Sequence, residues 1–254
     1  MPLTEAQLES YRRDGYVVPD YRLPESTLAD IRADHTRLVE RHGEFRQYCP
    51  NLLAWDLRFL EVARTAEIVE MVGQIIGPDF ALWNSSFFAK PAGDGNRTPW
   101  HQDGQYWPIR PLATCTVWIA IDASNTENGC LRVIPGSHHG QRLRVHRKID
   151  ATDATLNQEL VAEEYDEAQA ADIVLAPGQM SLHDIYLLHG SEANTSPHPR
   201  RGMTLRFMPT TSHFDRDLAQ KQAREMELVD HSSRTLWLMS GVDRSGRNDF
   251  RLRR

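Results

Sequence analysis

From Phe80 to Met208 the chain is a succession of short apolar or alternating runs, each closed by Gly, Pro, Asn or Asp. Few of these runs are long enough for a helix, and turn signals follow each one: Pro91-Ala92-Gly93-Asp94-Gly95-Asn96, Glu127-Asn128-Gly129 and Pro177-Gly178. Alternation with period two, cut by turn residues, is the signature of strands. The runs predict strands at about 81–90, 114–121, 130–134, 173–176, 179–183 and 203–208. Many strands without intervening helices exclude a doubly wound parallel sheet and leave a sandwich or jelly roll. The expected fold is therefore mainly β with flanking α-helices, a double-stranded β-helix.

The first 79 residues read differently. Thr4 and Gln7 form a capping-box pattern that starts a helix, and Gly15 can end it in the left-handed conformation. Residues 16–18 follow as a short strand. Pro24 opens a second helix with Leu28, Ile31, His35, Leu38 and Val39 on one face, where His35 reads as a core residue and not a ligand. A third helix is expected over 61–76, stopped by Gly77-Pro78. After the strand-rich region, 215–229 predicts a helix and 235–239 a strand or packing segment. Arg244, Arg247, Arg251, Arg253 and Arg254 read as a solvated basic terminus. The expected layout is one domain over 1–254: a helical part at 1–79, a jelly-roll core at 80–210 and an extension at 211–254.

Composition excludes several classes. A net charge of -6 gives no basic surface for nucleic acid. No apolar run approaches the roughly 20 residues that cross a bilayer. The first residues lack the charged and apolar regions of a signal peptide. Three cysteines at 49, 115 and 130, without metal-type spacing, suit reduced thiols in the cytoplasm. One stretch is unusual: Arg142, Arg144, Arg147 and Lys148 precede a segment, 150–172, with eight carboxylates and no Lys or Arg. It reads as a solvated helical insert, with a lid over an active-site mouth as the alternative.

The chemistry concentrates at Trp100-His101-Gln102-Asp103-Gly104. On an extended backbone residues i and i+2 share a face, so His101 and Asp103 can meet one ion while Gln102 points away. Imidazole and carboxylate together suit a divalent first-row metal, and a two-His, one-carboxylate set leaves positions open for catalysis. The third ligand must come from another strand. His189, 88 positions after His101, is the candidate, with His183 as its competitor.

Residues 100–107, 116–122, 128–138 and 189–200, with the opening Asp14-Gly15-Tyr16-Val17-Val18, resemble the phytanoyl-CoA dioxygenase-like branch of the iron(II)/2-oxoglutarate-dependent oxygenases. In that family a His-x-Asp pair, a distal His followed by Gly-Ser, and an Arg eleven residues further form the working set. His101, Asp103, His189, Ser191 and Arg200 stand at those positions. The resemblance therefore prefers His189 to His183, which becomes a packing or supporting residue. It implies iron(II), 2-oxoglutarate and O2 as the reacting set, the jelly roll found above, and decarboxylation of 2-oxoglutarate to succinate and CO2. Arg200 would hold the far carboxylate of 2-oxoglutarate through paired, charge-assisted hydrogen bonds, with Ser191 beside it. Arg201, adjacent, would face outward. Asn84 corresponds to a polar cosubstrate contact in ectoine hydroxylases, and Gln102 and Trp118 to residues lining the metal or cosubstrate surroundings.

A carboxylate at position 103, where related halogenases carry a small residue, favours hydroxylation over chlorination. Tyr106 and Trp107 follow the ligand loop and are expected to face the substrate, with Arg110 pairing an acidic group on it; Trp100 and Trp83 are expected to fill the barrel. The expected partner is a small polar or zwitterionic metabolite, not nucleic acid or membrane. Two rivals stand beside the oxygenase: a cupin-like metal-dependent binding module, which needs no Arg200, and a zinc hydrolase, for which no companion general base is apparent.

Overall fold

The computed structural model of the chain describes residues 2–253. Its centre is eight strands: β1 (Phe80–Lys90), β2 (Thr98–His101), β3 (Cys115–Ala120), β4 (Leu131–Val133), β5 (Ala171–Ile173), β6 (Met180–Asp184), β7 (His189–Ser191) and β8 (Arg200–Pro209). The larger sheet runs β6-β3-β8-β1, and the smaller β5-β4-β7-β2. Every pairing is antiparallel. Consecutive strands alternate between the sheets except β4 and β5, which pair within the smaller one, and this is the double-stranded β-helix that the turn spacing predicts. Six of the eight strands overlap an expected run, whereas β2 and β7, which carry the two histidines, match none; β8 begins three residues earlier, at Arg200, because its pairing with Lys90 of β1 extends the ladder.

Short accessory strands extend the larger sheet: Tyr16–Val17 on β6, Tyr48–Cys49 and Trp237–Ser240 on β1. Five helices flank it: α1 (Glu5–Asp14), α2 (Glu25–Arg41), α3 (Phe59–Ala63), α4 (Ala66–Ile76) and α5 (Arg216–Met226). The capping box at Thr4 forms, and Gly15 ends α1 at φ 82°. The third expected helix is two, because Thr65 takes an extended conformation (φ -52°, ψ 124°) and starts α4 anew.

Alternation in β8 separates two environments. Met203, Leu205 and Phe207 join Phe87, Val117, Ile119 and Leu182 in a core against the apolar faces of α2 and α4, including Leu28, Ile31, Ile68 and Val72. Each such side chain taken fully from water contributes roughly 1.5–3 kcal/mol. His35 lies in this layer, its ring 4.3 Å from that of Phe87, as a core residue. Arg200, Gly202, Thr204 and Arg206 face the other way, into the barrel. Gly202 is required there: a Cβ would lie 2.2 Å from the Trp118 ring.

The acidic segment is not helical. Residues Gln158–Leu160 pair with His146–Lys148 in a hairpin, followed by two short 3-10 turns. Its apolar residues lack a helical period, and its carboxylates find arginines elsewhere: Glu159 with Arg97 and Arg147, Glu164 with Arg142, Glu167 and Asp172 with Arg132. In the tail, Arg244 pairs with Asp79, and Arg251 and Arg253 with Asp249, while Arg254 lies outside the described residues. Cys49, Cys115 and Cys130 are free and buried. No helix among the described residues is long and apolar enough to cross a membrane.

Gly129 holds the turn before β4 at φ 73°, and a Cβ there would stand 2.3 Å from the Glu192 carbonyl oxygen. Gly129→Ala is expected to destabilise the fold by about 1–3 kcal/mol, read from urea unfolding midpoints.

Candidate metal centre

His189 of β7 lies directly opposite His101 of β2 in the antiparallel ladder. Directly opposed residues share a face, so one backbone register aims both imidazoles into the barrel. Their ring centroids are 4.1 Å apart. Strand β2 ends at His101, and a 3-10 turn beginning at Asp103 delivers the carboxylate. Gln102 between them stays extended (φ -117°, ψ 133°), which keeps Asp103 on the face of His101. The result is a three-donor set, His101, Asp103 and His189, whose ligand atoms lie within 4.8 Å of one another. Asp103 Oδ1 is 3.8 Å from His101 Nε2 and 3.9 Å from His189 Nε2.

The backbone sets the tautomer of both rings. Nδ1 of His101 is 2.8 Å from the Pro99 carbonyl, and Nδ1 of His189 is 2.9 Å from the Leu187 carbonyl. Each carbonyl accepts an Nδ1–H, leaving the Nε2 lone pair free toward the shared centre, the usual arrangement behind a metal-binding histidine. Burial, with His101 next to it, holds the His189 imidazole well below its usual range, so it stays neutral. Burial alone would raise the Asp103 carboxyl; the polar surroundings supplied by His101, His183, His189 and Arg206 outweigh it and hold the group below the usual carboxylate range. Two imidazole Nε2 atoms and a carboxylate, all aimed inward, fit a divalent cation.

His183 borders the same cavity, with Nε2 3.7 Å from Asp103 Oδ2, but it lies outside the three-donor set. It sits one strand away, opposite Thr116, whose hydroxyl is 3.4 Å from the same carboxylate oxygen.

Arg200 stands at the far end of this narrow inner cavity of about 40 Å³, with Ser191, Thr98, Leu131, Thr204 and Trp118. The side chain is buried, and its guanidinium donates to the carbonyls of Phe88 (3.3 Å) and Gly129 (2.9 Å). Its Nε has no partner, and the guanidinium lies over the Trp118 ring at 5.2 Å. The nearby acid is taken: Asp122 makes a bidentate pair with the outward Arg201, at 2.7 and 2.8 Å. Burial lowers the Arg200 pKa to about 10, which still leaves it a cation. A buried cation without a carboxylate is costly, and one facing a cavity calls for an anionic ligand. The residues therefore fit both a metal ion and a carboxylate-bearing chelator.

The other expected residues scatter. Trp118 and Ser191 line the inner cavity. Gln102 does not: its amide nitrogen donates to the carbonyls of Tyr186 (2.7 Å) and Arg142 (3.0 Å), and its oxygen accepts from the Arg144 N–H (2.7 Å), which staples the ligand loop to residues 142–144. The same alternation that orients Asp103 inward turns Gln102 outward. Asn84 lies in a second, outer cavity, where its oxygen accepts from Arg234. Tyr106 and Trp107 line that outer cavity. Arg110 borders neither; its guanidinium donates to the carbonyls of Trp107 and Ile109. Trp100 and Trp83 are buried.

The outer cavity, about 310 Å³, shares Phe88, His101, Asp103 and Arg206 with the inner one. Residues 155–157 of the acidic segment and Glu227, Leu228, Val229 and His231 of the tail form its outer wall. Sequence reading missed Arg206, Arg234 and His231. Only Arg206 carried a signal, an even-numbered position on the same strand and face as Arg200.

Residues 11–202 match the family model described as phytanoyl-CoA dioxygenase. The human peroxisomal phytanoyl-CoA dioxygenase (Homo sapiens) is 29% identical over 84% of this chain and 70% of its own length. An ectoine dioxygenase of Streptomyces avermitilis is 24% identical over 81% of this chain and 79% of its own. Against several other curated relatives the chain spans about half their length. The crystal structure of EvdO2 from Micromonospora carbonacea var. aurantiaca complexed with 2-oxoglutarate superposes with TM-score 0.70, covering 82% of this chain and 91% of that one at 22% identity, a likeness of fold.

Asp103→Ala is expected to weaken binding of Co(II) or Ni(II) by more than about a hundredfold, whereas His183→Gln costs at most about tenfold. Spectroscopic metal titration of the two variants separates a ligand from its neighbour.

Proposed function

Because this chain belongs to the phytanoyl-CoA dioxygenase family and is an iron(II)- and 2-oxoglutarate-dependent dioxygenase, we propose that it hydroxylates an unactivated C–H bond of a small polar or zwitterionic metabolite. One observation carries the reading: a single cavity holds the three-donor set at one end and the unpaired, buried Arg200 guanidinium at the other. A metal-binding module without oxygenase chemistry has no use for that second feature.

His101, Asp103 and His189 are the residues that would hold the metal ion. When bound there, iron(II) with 2-oxoglutarate and O2 supplies an oxidant strong enough to replace a C–H hydrogen by hydroxyl, with release of succinate and CO2. The remaining work belongs to the protein. Arg200 and Ser191 clasp the far carboxylate of the keto acid, and Trp118 keeps the guanidinium in plane beneath it. Trp118 in turn is seated by the absence of a side chain at Gly202. The Nδ1–H bonds of both histidines fix the tautomer that leaves the Nε2 lone pairs facing the site. A carboxylate at position 103, where related halogenases carry a small residue, supports hydroxylation.

Tyr106 and Trp107, in the lining of the outer cavity, shape the substrate side. Tyr106 is fixed by donating to the Gln158 carbonyl (3.3 Å), so the acidic hairpin supports the pocket wall. An outer cavity of about 310 Å³ lies at the lower end of the range for small-molecule sites, which favours a compact metabolite over a long thioester. Residues 155–157 and 227–231 close over it and exclude water from the reacting centre, which protects a reactive oxidant from side reactions.

Anaerobic addition of iron(II) and 2-oxoglutarate is expected to give the weak visible charge-transfer band of the chelate, and Arg200→Ala to raise the apparent Kd for 2-oxoglutarate more than about tenfold. Succinate release measured against a metabolite panel then names the substrate. Absence of both the band and any succinate returns the protein to the binding-module reading.

A further inference from the structure

Arg206 and Arg234 stand in and behind the wall of the outer cavity with no acid paired to either among the described residues. Arg206 is 5% exposed, and its Nη1 donates to the Ser86 hydroxyl at 2.7 Å while its Nε has no partner. Two rings fix its plane, Trp107 at 5.1 Å and Phe88 at 5.6 Å from the guanidinium carbon. Arg234, also buried, spends its donors on neutral acceptors: Asn84 Oδ1, the Pro50 carbonyl (2.7 Å) and His231 Nδ1 (2.8 Å). By accepting from Arg234, His231 is neutral; burial and the two arginines also hold it well below its usual range. The lining holds two acids: Asp103, which belongs to the metal set, and Glu227, whose side chain is 70% exposed and paired with Lys148.

The charges of the inner site already balance, on the reading of the metal centre given above. A ferrous ion and Arg200 carry three positive charges, and Asp103 with dianionic 2-oxoglutarate carries three negative ones. Arg206 and Arg234 are then surplus, in a buried place where an uncompensated cation is costly. Arg206 differs from Arg234 in one decisive respect: it lines the cavity and keeps an unused donor. A planar guanidinium clamped between rings suits paired hydrogen bonds to an oxyanion, and Arg110 cannot serve, since its guanidinium is turned to backbone carbonyls.

We infer that Arg206 is the residue that anchors the substrate, and that the substrate carries an oxyanion, a carboxylate or a phosphonate. Because Arg206 borders both cavities together with His101 and Asp103, the oxidised carbon lies only a few bonds from that acid. Arg234 reinforces the site through its field without touching the ligand, and Ser86 orients the fork.

The test compares neutral and acidic probes on the full-length protein: butyrate with butyramide, and propylphosphonate with its dimethyl ester. Binding is followed by calorimetry and ligand-observed NMR, once metal-free and once with redox-inert Ni(II) and 2-oxoglutarate. The acids are expected to bind at least about tenfold tighter than the neutral partners in both states. Arg206→Gln erases that preference while 2-oxoglutarate affinity stays within about threefold, and Arg206→Lys, which keeps charge but loses the fork, retains part of it. Acids that bind no tighter than their neutral partners to the wild-type chain overturn the inference. So does a loss of 2-oxoglutarate affinity in Arg206→Gln comparable to that in Arg200→Ala, which assigns Arg206 to the keto acid's near carboxylate. Failure of 2-oxoglutarate to bind the wild-type protein overturns the cofactor reading alone, because the metal-free comparison still decides Arg206.

Discussion

The backbone ladder between β2 and β7 is the constraint on which the rest depends. It sets His189 opposite His101, and a slip of one residue would put the two imidazoles on opposite faces of the sheet. The register is held from both sides. Strand β4 pairs with β7 on its other edge, and Gly190 meets Thr98 and Trp100 so closely that a Cβ would lie 3.0 Å from the Thr98 oxygen. The ligand set is thus a property of the sheet and not of flexible side chains. Rigid placement of this kind is what lets three donors converge before a metal arrives.

The larger sheet plays the complementary part. Its outward residues make the apolar layer under the helices, and its inward residues carry the charges. Along β8 the two roles alternate residue by residue, so the strand that is among the best anchored in the core also presents Arg200 and Arg206 to the cavities. Buried arginines survive there because each finds carbonyls, hydroxyls or aromatic faces, while the site keeps two guanidinium edges in reserve. Unsatisfied donors in an otherwise well-packed interior mark where ligands are expected.

Segments that carry no metal ligand complete the substrate side. The acidic hairpin supports Tyr106, and the tail supplies Leu228, Val229 and His231 to the outer wall. Such elements have few pattern constraints of their own, since loops and hairpin tips tolerate many sequences. They decide the volume and charge of the pocket, and hence what the enzyme can accept.

Much of this was legible in the linear chain. The short β2 and β7 fall outside any such pattern, but period-two runs closed by Gly, Pro and Asn located the other six of the eight strands, because strand alternation and turn chemistry are local effects. His-x-Asp announced itself for the same reason: two residues apart on extended backbone is a local geometry. The helix read over 61–76 broke at Thr65, and the acidic insert formed a hairpin, because apolar and charge patterns there left the conformation open to tertiary pairing. Gln102 and Asn84 were placed by resemblance near the cosubstrate, but hydrogen bonds to residues far along the chain, at 142–144 and 234, took them elsewhere. The sequence by itself determined the strand pattern, the chemistry of the donors and the match to a family motif. Only the tertiary structure decided that His101 faces His189, that Arg201 and not Arg200 takes Asp122, and that Arg206 reaches the substrate cavity unpaired. Those outcomes depend on contacts between residues tens of positions apart, which no local periodicity encodes.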